Sequence, residues 1–166
     1  MASINEIDVR QALRAMCNGT SQRSHLHNLQ LMDDILDDPA FPDSVQSREY
    51  ALNHILTKII TDHLMYQHTA LNHRPPTSDE TRKATLTAIR DDGKSGSLKL
   101  LSWSWLYYHF VRVELYIMAE DFCTQLGITP RTLRRYQRRG IKRLAAHLIE
   151  AEQAARISQS LHKPTT

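Results

Sequence analysis

Apolar residues along this chain recur at intervals of three and four, most plainly in Leu52, Ile55, Leu56, Ile59, Ile60 and Leu64. That interval gathers them on one face of an α-helix, whereas a half-buried strand needs alternation at every second residue, and no stretch sustains it. Only five of the 166 residues are glycine, so breaks between helices are few and easily placed. The expected fold class is all-α.

A first helix is expected over 5–16, with Ile7, Ala12 and Leu13 among its apolar positions and Asn18-Gly19 as its stop. A second covers 21–36 and ends ahead of Asp37-Asp38-Pro39, because the residue before a proline resists the helical conformation. A third starts at Asp43 or Ser44 and continues to Leu71, before Arg74-Pro75-Pro76. Ser78-Asp79 is the expected cap of a fourth that reaches Arg90, with Leu86 and Ile89 turned inward. The segment Asp91 to Ser97, with Gly93, Ser95 and Gly96, reads as a linker. It divides the chain into an N-terminal helical region, 1–95, and a second region, 96–157; residues 158–166, polar and containing Pro164, read as a flexible tail.

The formal net charge of +3 conceals an asymmetry. Between Asp121 and Glu150 there is no acidic residue, while Arg131, Arg134, Arg135, Arg138, Arg139, Lys142 and Arg143 all fall there. These seven of the 21 basic residues leave 14 elsewhere against all 18 acidic ones, so the rest of the chain is net negative. A positive field confined to one segment implies a polyanionic partner touching one face.

The segment around those cations is patterned as a helix-turn-helix. The expected helices run from Trp103 to Glu114, from Met118 to Gln125, and from Thr129-Pro130 onward. Such a unit needs a small residue where its two motif helices meet, a residue tolerant of positive φ in the turn, and apolar residues that fix a steep crossing. Cys123 is the small contact residue, Gly127 the turn and Ile128 its anchor, while Leu133 and Tyr136 face the core and Phe122 belongs to the same motif core. Thr129 is the expected N-cap and Pro130 the first helical residue. At about 100° per residue, Leu133, Tyr136, Gly140, Ile141, Leu144 and Leu148 share one arc. Arg131, Arg134, Arg135, Arg138, Arg139 and Lys142 share the opposite one, with Arg143 at its edge. The architecture expected is therefore an N-terminal bundle followed by a tri-helical helix-turn-helix unit with a long C-terminal helix. In the docking typical of this motif, Thr129, Arg131, Arg134 and Arg135 reach base edges, and Arg138, Arg139, Lys142 and Arg143 meet phosphates.

The matching residues Phe122-Cys123, Leu126-Gly127-Ile128-Thr129, Arg131-Thr132-Leu133 and Gly140-Ile141-Lys142-Arg143-Leu144 give a segment that resembles the sigma-factor region-4 type of bacterial helix-turn-helix. More closely, 103–150 looks like the helix-turn-helix that stands ahead of ATPase or tetratricopeptide modules in bacterial regulatory proteins. Tyr116 and Met118 stand where that pattern usually has a glycine and a capping Ser or Thr. The resemblance implies a transcriptional regulator binding duplex DNA, with a larger regulatory ATPase as partner or fusion; the cysteine usage adds a cytoplasmic location, and the apolar and acidic N-terminal helices a homodimer through them. The alternative is a helical protein-interaction or adaptor module, a death-domain-like or dimerisation bundle, whose basic helix binds an acidic partner.

Other chemistries find no pattern. There is no glycine-rich phosphate loop, nucleophile elbow or His-Glu-x-x-His, so no enzyme and no cofactor are expected. His63, His68 and His73 recur every five residues, which on a continuous helix points successive members about 140° apart, and no metal site is expected. Cys17 and Cys123, far apart and outside any Cys-x-x-Cys pair, read as small buried residues of a reducing compartment. Trp103, Trp105, Tyr107, Tyr108 and Phe110 read as core, and Asp33, Asp34, Asp37 and Asp38 as a solvated or partner-facing cluster. Leu100 to Val111 falls short of the ~18 apolar residues a membrane helix needs.

Overall fold

The computed structural model describes residues 3–21 and 24–163, and it is all-α, with no strand among the described residues. Among the described residues seven α-helices follow one another: α1 (Glu6–Asn18), α2 (Gln30–Leu36), α3 (Val45–Ala70), α4 (Arg82–Lys94), α5 (Leu98–Leu106), α6 (Ala119–Leu126) and α7 (Pro130–His162). No helix is long and apolar enough to cross a membrane among the described residues. The chain forms two compact units, one from 1–56 and 143–166, the other from 57–142. The division between these units falls inside α3 and α7. Within the segment expected as a linker, Gly93 continues α4 to Lys94, and 95–97 connect α4 to α5.

In the first unit Asn5 caps α1 by accepting the Asp8 N–H at 2.9 Å, and Gly19 closes it at φ 64°. Val9 and Leu13 are buried while Ile7 lies outward. The expected helix over 21–36 is broken, with its residues 22 and 23 outside the described residues. Ser24 starts a short 3-10 turn (His25–Asn28), and α2 begins afresh after Leu29, which offers no side-chain cap. The missing cap comes from α7, where Glu152 accepts the N–H groups of Gln30 (2.9 Å) and Leu31 (3.1 Å) and holds Arg156 at 2.8 Å. Arg48 binds Asp33 (2.9 Å), Asp43 (3.1 Å) and the His27 carbonyl (3.0 Å), so part of the acidic cluster is neutralised internally. The helix α7 also overruns the expected tail at 158, continuing to His162; 164–166 lie outside the described residues.

The second unit is built around α5 and the aromatic segment after it. Ser97 caps α5, and every residue from Leu100 to Leu106 is buried. Instead of one helix to Glu114, a π-helical stretch (Tyr107–Val111) and a 3-10 turn (Val113–Leu115) follow, which swing the chain towards α6. Trp105 stacks on His109 (4.3 Å between centroids) and meets Phe122 edge-on at 5.0 Å, so the aromatic residues are core. The cap of α4 is Thr81, three residues past the expected one, accepting the Ala84 N–H at 3.1 Å. Ile89 is fully buried and Leu86 half-buried.

Candidate nucleic-acid interface

The turn between α6 and α7 is set by a few backbone requirements. At the start of α6 the chain reverses through Tyr116 at φ 52°, the left-handed conformation in which a glycine is usual, and the residue is 70% exposed. Met118 has no capping side chain of its own. Asp121 compensates by reaching back to accept the Met118 N–H at 2.8 Å. At the other end Gly127 sits at φ 64°, and the Ile128 N–H donates to the Cys123 carbonyl at 3.1 Å, closing α6. A Cβ on Gly127 would meet nothing within 4 Å, so the glycine is required by its φ and not by space.

Thr129 then caps α7, its Oγ1 accepting the Thr132 N–H at 3.2 Å, with Pro130 as first helical residue. Leu133, Ile141, Leu144 and Leu148 are buried. Tyr136 and Cys123 are only half-buried, as is Cys17 in the first unit. Phe122 is fully buried and Ile128 half-buried. Gly140 has a reason invisible in its helical surroundings, since a Cβ there would stand 3.0 Å from the Ser102 carbonyl oxygen and 3.2 Å from Leu106. It is the point at which the backbone of α7 comes against the backbone and the Leu106 side chain of α5.

On the opposite face Arg131, Arg134, Arg135, Arg138, Arg139 and Lys142 are all exposed, and Thr129 with them. Arg143 is half-buried at the edge. None of the six exposed cations makes an ion pair or a side-chain hydrogen bond among the described residues. Arg48, Arg82, Arg112 and Arg156, by contrast, each reach a carboxylate. Six unneutralised charges on about three turns of helix repel one another, which disfavours the fold unless an anion offsets them.

The sequence did not reveal what braces α6 from behind. Arg82 of α4 binds Asp121 at 2.8 Å, and Arg90 donates twice to Gln125 Oε1 (3.0 and 2.7 Å). Gly93 approaches Leu126 so closely that a Cβ would lie 2.6 Å from its Cδ2. On α4's inner side Asp92, 3% exposed, accepts from His68 Nε2 and His73 Nδ1, both at 3.1 Å. The expectation that these histidines point apart fails because His73 lies beyond α3, after Asn72 at φ 54°, and turns back. An ionised carboxylate only accepts, so both rings donate and the result is a hydrogen-bonded clasp. No group of three His, Cys, Asp or Glu side chains has the geometry to hold a metal ion among the described residues. Nearby, burial pushes the Glu80 carboxyl above its ordinary range against the pull of Arg112, and burial likewise pushes the Tyr108 phenol up. Asp92 shares the buried side of α4 with Thr85 and Ile89, and its partners depend on where α3 stops.

No protein-family model, curated protein or solved structure matches the chain.

Proposed function

We propose that this chain is a transcriptional regulator that binds duplex DNA through α6 and α7, as a helix-turn-helix of the region-4 type. One observation carries the reading: six exposed cations, without an ion pair among the described residues, occupy one side of a helix whose start is fixed by Gly127 and Thr129. In this docking Thr129, Arg131, Arg134 and Arg135 reach base edges in the major groove, and Arg138, Arg139 and Lys142 meet phosphates, with half-buried Arg143 at the margin. Phosphate contacts supply affinity that falls with salt, and base contacts supply preference. A dimer on paired half-sites and a cytoplasmic location belong to the same proposal.

Anisotropy titration of the full chain with labelled random-sequence duplex DNA at two salt concentrations tests it. The expected result is binding that collapses as salt rises and that Arg134→Ala with Arg138→Ala removes. Arg138→Ala alone should weaken binding to every sequence and flatten the salt dependence, while Arg134→Ala relaxes preference at one base pair. Undetectable binding at low salt overturns the proposal and leaves an acidic protein partner as the reading of the same face.

A further inference from the structure

Resting on the DNA-binding reading above, we propose that Arg90 of α4 is a further phosphate contact, placed at the corner between α6 and α7. Its anchoring is unlike that of the arginines elsewhere. Arg48, Arg82, Arg112 and Arg156 are each held by a carboxylate that offsets their charge. Arg90 is held by a neutral amide, with Nε and Nη2 both donating to Gln125 Oε1, and it lies in no ion pair among the described residues. An arginine only donates, so Gln125 must present its oxygen to Arg90, leaving its two amide N–H donors directed elsewhere. Arg90 is thus oriented at little loss of charge, and its Nη1 and one Nη2 hydrogen are not used by Gln125.

The position matters as much as the charge. Gln125 is in the last turn of α6, and the tight turn through Gly127 brings the chain to Thr129 and Arg131 within a few residues. The acids beside this corner are already engaged: Asp121 by Arg82 and the Met118 N–H, Asp91 by Lys94 at 3.3 Å, and Asp92 by the two histidines inside. A duplex whose groove admits the N-terminal turn of α7 carries its sugar-phosphate strand past the flank of that turn. A fixed guanidinium there meets a phosphate oxygen with less ordering cost than the unanchored arginines of α7.

The test is a salt series of anisotropy titrations on the full chain with labelled duplex DNA, comparing wild type, Arg90→Ala and Gln125→Ala, with melting temperatures measured alongside. Arg90→Ala should weaken binding by about threefold or more and reduce the slope of log K against log salt by about 0.9, the signature of one lost phosphate contact. Gln125→Ala keeps the charge and loses the anchor, so affinity should fall while the slope stays. Since that variant removes no cation, it also serves if Arg90→Ala perturbs the fold. Wild-type affinity and slope in Arg90→Ala, with binding still abolished by Arg134→Ala plus Arg138→Ala, overturn this inference and leave the DNA-binding proposal standing. Unchanged affinity in Gln125→Ala overturns the anchoring role, and absence of wild-type binding overturns both.

Discussion

Helix α7 is one continuous helix with two chemistries. From Pro130 to Lys142 its outward face is cationic and makes no ion pair among the described residues. Beyond Lys142 its charges are used within the fold: His147 meets Glu150 at 3.5 Å, and buried Glu152 joins the N-terminus of α2 to Arg156. The difference separates charge that specifies the fold from charge that serves something outside it. A basic residue with a carboxylate partner accounts for itself structurally; six without one do not.

If that separation is right, substitutions in the two halves should sort by stability. The largest loss is expected for Glu152→Ala, which strips two half-buried backbone N–H groups of their acceptor, while the exposed Arg156 guanidinium turns to water. Denaturant unfolding should show a loss of about 2–3 kcal/mol, since each unsatisfied group costs about 1–3. A loss under about 0.5 kcal/mol would mean that water replaces the cap freely and that the second half is no more structural than the first.

Gly140→Ala comes next. Alanine gains about 1 kcal/mol of helix propensity but must displace the Ser102 carbonyl or Leu106, and overpacking costs about 1–3 kcal/mol. A net loss of about 1 kcal/mol is expected in the same unfolding experiment, and a stabilised variant would show that α7 slides off α5 without penalty. Gly127→Ala has room for its methyl group but not the φ, so a loss of about 1 kcal/mol is expected with little change in packing. The smallest stability effect belongs to the residues expected to matter most for binding. Arg134→Ala with Arg138→Ala should stay within about 0.5 kcal/mol of wild type, or gain slightly as repulsion is relieved, while DNA affinity is lost. A substantial destabilisation would make those arginines structural and erase the contrast.

The helical fold class and the turn signature were legible because they depend on local rules. Apolar spacing marks α3, the threonine-proline pair marks the start of α7, and Gly127 marks the left-handed turn whatever surrounds it. The break between the 3-10 turn and α2 was not legible, because the cap that restarts the helix is Glu152, a residue 122 positions away. The same holds for Asp92, whose partners meet only because Asn72 ends α3 and returns His73. Gly93 misled for a related reason: glycine read alone signals a break, and only the closeness of Leu126 explains one inside α4. The outward arc of arginines could be placed from periodicity, but their lack of carboxylate partners could not, since that depends on which acids the fold brings near.

The Glu152 cap also orders events in time. At a synthesis rate of about 5–20 residues per second, the 122 positions separating Gln30 from Glu152 take roughly 6–24 s to make. Until then α2 is without its cap, whereas every residue of the 57–142 unit has already been joined to the chain. The nascent protein therefore holds the residues of its basic turn before α2 can be capped, and an interruption of translation shortly after Lys142 leaves the one without the other.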